Sequence, residues 1–151
     1  MDKKQTKIIQ NTTEKLLKLL EVQGDFEITQ TEEAIEINLN TEDTGIVIGY
    51  HGDTLESLQL ILSLCLAKNL GEFKRVSVEV GEYKAKREEW LKHLASETKD
   101  KVLSEGKEVY LADLKSWERR VVHLTLQNDQ EVVSESVGEG KDRVLVVKPK
   151  N

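Results

Sequence analysis

The chain has 151 residues, 38% hydrophobic and 33% charged, which allows one ordinary domain or two small ones and excludes a disordered segment. No apolar run approaches the ~20 residues that span a bilayer, and Met1-Asp2-Lys3-Lys4-Gln5-Thr6 has no signal-peptide core, so a cytoplasmic protein without membrane insertion is expected. The net charge of −6 lies in the first half, with 8 Lys+Arg against 14 Asp+Glu in residues 1–80 and 14 against 14 in residues 81–151, which excludes strong long-range attraction to a polyanion.

Residues 3–22 place Ile8, Ile9, Thr12, Leu16, Leu19 and Leu20 near the i, i+4, i+7 rhythm and predict an amphipathic helix closed by Gly24. Phe26 and Ile28, then Ile35, Ile37 and Leu39, alternate with polar residues and predict two strands joined as a hairpin through Gln30-Thr31-Glu32-Glu33. Thr41-Glu42-Asp43-Thr44 starts a short helical turn over Gly45 to Ile48. Gly49-Tyr50-His51-Gly52 breaks it ahead of a longer helix from about Thr54 to Asn69. Gly71 closes that helix, and Val76, Val78 and Val80 alternate as a third strand. The single cysteine, Cys65, lies among Ile61, Leu62, Leu64 and Leu66; no internal disulfide can form, and a buried, inert thiol is expected.

Helix, strand, strand, helix, Gly-x-x-Gly, helix, strand resembles a bacterial-type (type II) KH domain over residues 1–80. A glycine loop at the N-terminus of the second helix aims backbone N–H groups at a phosphate, and the absent Cβ atoms of Gly49 and Gly52 permit close approach. The resemblance implies a clamp on about four nucleotides of single strand. Related loops carry Lys or Arg between the glycines. Here Tyr50 and His51 stand there and Asp53 follows, so Tyr50 would contribute by stacking on a base rather than by charge. The bland alternative is that the glycines only make a sharp turn.

No Pro/Gly/Ser linker follows Val80-Gly81-Glu82, so two closely coupled modules are expected. A helix from about Glu82 to Ser104 would carry Tyr83, Trp90, Leu91, Leu94, Thr98 and Val102 on its apolar side, with His93 toward solvent. Trp90 and Trp117 read as core anchors. Lys84, Lys86 and Arg87 read equally as a solvated helix start or as a patch facing RNA. Val109 to Leu111 predicts a short strand. A helix then carries Arg119 and His123, capped by Ser116 and flanked by Val121, Val122, Leu124 and Leu126. Val132, Val133 and Val137 pair with Val144 to Val147 across Gly138-Glu139-Gly140, completing a small sheet packed on two helices.

The four-residue spacing of Arg119 and His123 points both side chains the same way. Two nitrogen donors one turn apart, with Arg120 beside them, suit a phosphate oxygen or an exposed base edge. Trp117-Glu118-Arg119-Arg120-Val121-Val122-His123-Leu124-Thr125-Leu126-Gln127, with Ser134-Glu135-Ser136-Val137-Gly138-Glu139-Gly140-Lys141-Asp142-Arg143 and Lys148-Pro149, is similar to the R-three-H domain of the bacterial Jag (SpoIIIJ-associated, KhpB) family over residues 82–150. The resemblance implies an α+β protein of two small domains, KH-like over 1–80 and R-three-H over 82–151. It implies a binder of single-stranded RNA or single-stranded DNA rather than an enzyme, tied to RNA regulation and to cell-envelope or division processes. The additional N-terminal domain and charged linker of longer relatives are expected to be missing.

The nucleic-acid-binding residues expected are Gly49, Tyr50, His51, Gly52, Lys84, Arg87, Arg119, Arg120 and His123. No cofactor is expected. No metal is expected either, because His51, His93 and His123 fall in separate elements. No nucleophile elbow or Walker loop is present, and a general-base role for His123 beside Glu118 has neither a second acid nor an oxyanion site. The alternative from another class is an adaptor whose acidic first half forms a homodimer or docks on a small, basic, single-KH partner.

Overall fold

A computed structural model describes residues 2–150 and divides the chain into two compact units, one ending at Tyr83 and the other beginning at Lys84. In the first unit the order is α1 (Lys3–Leu19), β1 (Asp25–Gln30), β2 (Ala34–Asn40), α2 (Thr44–Ile48), a 3-10 turn (Tyr50–Gly52), α3 (Asp53–Leu70) and β3 (Arg75–Val80). Asp2 caps α1 by accepting from the Lys4 N–H at 3.0 Å. The sheet order is β1-β2-β3, with β1 antiparallel and β3 parallel to β2. Ile35, Ile37, Leu39, Val76, Val78 and Val80 turn to one face and form the core with Leu55, Leu58, Leu62 and Leu66 of α3 and Ile9 and Leu17 of α1. The opposite face carries Glu27, Glu36 and Asn38 into solvent, as the period of two requires.

Two expectations for α1 need correction. Its buried line is Ile9, Thr13 and Leu17, whereas Leu19 is 82% exposed and Leu20 51%. Thr13 can be buried because its hydroxyl donates to the Ile9 carbonyl at 2.8 Å, leaving its methyl for the core. The helix also stops at Leu19, well before Gly24. Glu21 takes the left-handed conformation at φ 57°, its N–H donates to Lys18, and Val22 donates to Leu17, a Schellman ending built without glycine. Cys65 is likewise only half-buried, on the outward side of α3 beside Ile8 and Leu16.

The second unit holds α4 (Tyr83–Glu105) from its second residue onward, β4 (Val109–Leu111), α5 (Ser116–Leu126), β5 (Val132–Val137), a 3-10 turn (Gly140–Asp142) and β6 (Val144–Pro149). Its sheet is antiparallel in the order β4-β6-β5, with Ser134 opposite Val147 and Val137 opposite Val144. Leu91, Ala95 and Val102 of α4, Val122 and Leu126 of α5, and Val132, Leu145 and Val147 of the sheet make one core. Among the described residues no helix is long and apolar enough to cross a membrane.

The tryptophans are not core anchors. Trp90 is 47% exposed and Trp117 37%, because Leu91 and Ala95 occupy the inward positions of α4. Trp90 instead lies under the Arg87 guanidinium, 4.2 Å from ring centroid to Cζ. Arg87 also donates from Nε to the fully buried Glu118 at 2.8 Å, and the other Glu118 oxygen accepts from the Lys115 N–H at 3.0 Å. Arg87, expected either at a solvated helix start or in a patch facing RNA, is thereby largely withdrawn from the surface. It neutralises a carboxylate that ties the start of α5 to α4. Lys115 is the N-cap, so Ser116 is the first helical residue rather than the cap. Beyond α5, Asp129 accepts from the Lys99 ammonium at 2.7 Å and from the Glu131 and Val132 N–H groups. These hydrogen bonds, that of Lys99 foremost, hold its carboxyl below the usual carboxylate range.

Candidate functional site

The glycine loop of the first unit is set by backbone geometry. Gly49 has φ 69° with ψ −170°, and a Cβ placed there would lie 2.1 Å from the Thr54 hydroxyl; Gly52 has φ 80°, and a Cβ would meet the Tyr83 ring at 3.0 Å. Both positions therefore exclude a side chain for reasons internal to the fold. Between them, His51 takes a left-handed conformation at φ 49° and stacks on Tyr50, with centroids 4.0 Å apart and planes inclined by 21°. Tyr50 is 70% exposed, so the outer face of this aromatic pair is presented to solvent, whereas His51 is half-buried. Asp53 opens α3 at the loop's edge and Glu56 follows within the first turn, placing acidic groups where a phosphate would be favoured by the helix. The loop offers a stacking surface more readily than an anion seat.

The second unit contains the stronger site. Ser116, Arg119, Arg120 and His123 lie at i, i+3, i+4 and i+7 on one face of α5 and line a cleft of about 500 Å³ with Ser136 of β5 and Arg143. The strand side follows from alternation: Val132 and Ser134 are buried, and Ser136, next on the same face, reaches the cleft. Arg143 arrives by the hairpin, and its guanidinium donates to the Gly138 carbonyl at 3.1 Å. Among the described residues no carboxylate lines this cleft, so three guanidinium groups and an imidazole share it without a counter-charge.

Arg119 is half-buried rather than exposed. It donates to the Leu114 carbonyl at 2.6 Å and to the Ser116 hydroxyl at 3.2 Å, which takes up two of its five N–H donors and fixes the plane of the rest. Arg120 is exposed. The His123 ring places Nδ1 2.8 Å from the Ser134 hydroxyl and remains exposed on its other edge. Lys84 sits exposed at the start of α4 and is not among the residues lining the cleft. Arg143, Ser116 and Ser136 line the cleft although the sequence pattern does not single them out as site residues. Hairpin register, Val137 opposite Val144, was the signal that could have carried Arg143 to this end of the sheet.

Two family models match the chain. That for the KhpA/KhpB KH domain covers residues 6–80, and that for the R-three-H domain covers residues 89–149. Curated relatives named RNA-binding protein KhpB include one from Clostridium symbiosum, 37% identical over 121 residues that make up 80% of this chain and 54% of the relative. One from Bacillus subtilis (strain 168) is 31% identical over 84% of this chain and 62% of its own length. A third, from Lactiplantibacillus plantarum, is 30% identical over 87% of this chain and 41% of its own length. The chain thus spans between two fifths and about three fifths of the length of these relatives.

Proposed function

The chain belongs to the KhpB (Jag) family, with a KhpA/KhpB-type KH domain followed by an R-three-H domain, and on that premise we propose that it is a cytoplasmic protein that binds single-stranded RNA. The observation that carries the reading is the carboxylate-free cleft of Arg119, Arg120, His123 and Arg143. Planar guanidinium groups on a helix face and a hairpin suit phosphate oxygens, which in a flexible single strand can turn toward the protein while bases splay outward. In the KH-like domain, assigned to residues 1–80, the exposed face of Tyr50 takes a base while Gly49 and Gly52 bring the backbone close. The R-three-H domain, residues 82–151, supplies the charge. With few phosphate contacts, affinity is modest and falls shallowly with salt.

Fluorescence anisotropy with a short A- or U-rich RNA and with its duplex tests this. The single strand binds tighter, and Arg143→Glu weakens it by ~10-fold or more, the effect of turning a cation toward phosphate into an anion. Equal or tighter duplex binding contradicts the reading.

A second reading rests on its own observation. On the outward sides of α1 and α3, Leu19, Leu60 and Leu64 are 82%, 62% and 60% exposed, beside a groove of about 480 Å³ lined by Ile8, Leu16 and Cys65. Such an apolar surface is better suited to protein than to RNA. Its occupant is a second KH domain, that of another copy or of a small single-KH protein. Light scattering after gel filtration decides it: Leu64→Glu turns a dimer into a monomer, and a wild-type monomer that also ignores a single-KH protein sinks the idea.

A further inference from the structure

His123 enters the cleft from the last turn of α5, and its inner nitrogen is already engaged, with Nδ1 2.8 Å from the hydroxyl of Ser134. Ser134 is a polar residue 6% exposed, in the middle of β5, opposite Val147 and next on its face to Val132. A hydroxyl withdrawn from water needs a partner, and the imidazole is the one its side chain has in this structure. A neutral imidazole holds its proton on one nitrogen, and the bond made by one nitrogen decides what the other presents. Because the two nitrogens lie on different edges of the ring, anchoring Nδ1 on buried Ser134 leaves Nε2 for the cleft.

We propose that Ser134 is a positioning residue that holds His123 with its proton on Nε2, so that this corner of the cleft donates to a phosphate oxygen instead of accepting from a base N–H. The proposal rests on the cleft being the nucleic-acid site. The charged groups facing it are all cations, Arg119, Arg120 and Arg143, and they draw an anion. A lone pair on Nε2 would repel that anion, whereas an N–H completes its hydrogen bonds. The Ser134 hydroxyl suits this because it both donates and accepts. Toward the neutral ring it donates to Nδ1. Toward the protonated ring it turns and accepts from Nδ1–H. In both charge states Nε2 carries a proton, so His123 donates to phosphate without having to be charged.

The test uses the full chain labelled with ¹⁵N, and hexauridylate RNA as the probe. In the free protein, at a pH where the ring is neutral, long-range ¹H–¹⁵N spectra give His123 an acceptor-type Nδ1 and a protonated Nε2; Ser134→Ala mixes the two forms and Ser134→Thr restores one. Affinity for hexauridylate falls roughly 3- to 10-fold in Ser134→Ala, the size of one neutral hydrogen bond. His123→Ala gives a similar loss, and the double variant loses no more than His123→Ala alone. A protonated Nδ1 in the free wild type overturns the role of Ser134 whatever the RNA titration gives, as do fully additive losses in the double variant. Unchanged affinity in Arg120→Ala with the spectra as expected overturns instead the reading of the cleft.

Discussion

Arg119 and Arg120 are neighbours in sequence with different tasks, and alanine at each separates binding from folding. The Arg119 guanidinium spends two donors on the Leu114 carbonyl and the Ser116 hydroxyl, at 2.6 and 3.2 Å. A hydrogen bond from a charged group contributes ~1.5–3 kcal/mol when its partner stays dry. Here the group is half exposed and the carbonyl can turn to water, so Arg119→Ala costs about 1–2 kcal/mol of stability. For a unit of 68 residues this lowers the melting temperature by roughly 4–16 °C. Arg120 is exposed and makes no such anchor, so Arg120→Ala changes stability by less than ~0.5 kcal/mol. Both lose a phosphate contact of at least ~1.5 kcal/mol, about 10-fold in affinity. Arg119→Lys keeps the charge and recovers part of the affinity, but not the forked geometry. Urea unfolding followed by circular dichroism, paired with RNA anisotropy, reads both quantities. If Arg119→Ala leaves stability untouched, or Arg120→Ala leaves affinity untouched, the division of labour is wrong.

Arg87→Ala strands the buried Glu118 carboxylate and lowers stability by ~3–5 kcal/mol in urea titration, whereas Lys84→Ala, at an exposed position, lowers it by less than ~0.5 kcal/mol. Tyr50→Ala removes the exposed stacking surface, costing ~1–3 kcal/mol of RNA binding by anisotropy with an unchanged melting curve. The hydrogen bonds that depress the Asp129 pKa stabilise the folded state above the ordinary carboxylate pKa, and that contribution is lost as pH falls through the lower folded value. Asp129→Asn is therefore less stable than wild type at neutral pH, and the gap in melting temperature begins to narrow below about pH 4, the ordinary carboxylate value, and closes only below the lower folded value.

Alternation made the strands legible: Ile35, Ile37 and Leu39, and Val76, Val78 and Val80, are buried in the register that a period of two requires. Glycines marked the loop at 49–52 and the end of α3 because the backbone there takes φ values that other residues avoid. The start of α5 was less legible. Its cap runs through Glu118 reaching back to Lys115, and the charge of Glu118 is matched by Arg87, 31 residues earlier, a pairing no local pattern reveals. For the same reason a run of Lys84, Lys86 and Arg87 looks uniformly basic while one member, Arg87, is turned inward onto Glu118. The apolar pattern of α1 lies about one residue off its buried face because Thr13 counts as polar in a pattern yet satisfies its own hydroxyl on the helix. Arg119 and His123 share a face as spacing implies, but Arg143 and Ser136 join them only through the closure of the β5–β6 hairpin.

Chemical-shift mapping of the ¹⁵N-labelled chain during titration with single-stranded RNA tests the central claim most directly. The account predicts shifts at Arg119, Arg120, His123, Ser136 and Arg143, with a second, weaker set at Gly49, Tyr50 and Gly52, and none at Glu27 and Glu36 on the acidic sheet face. Shifts confined to α1 and α3, or none at α5, would contradict it.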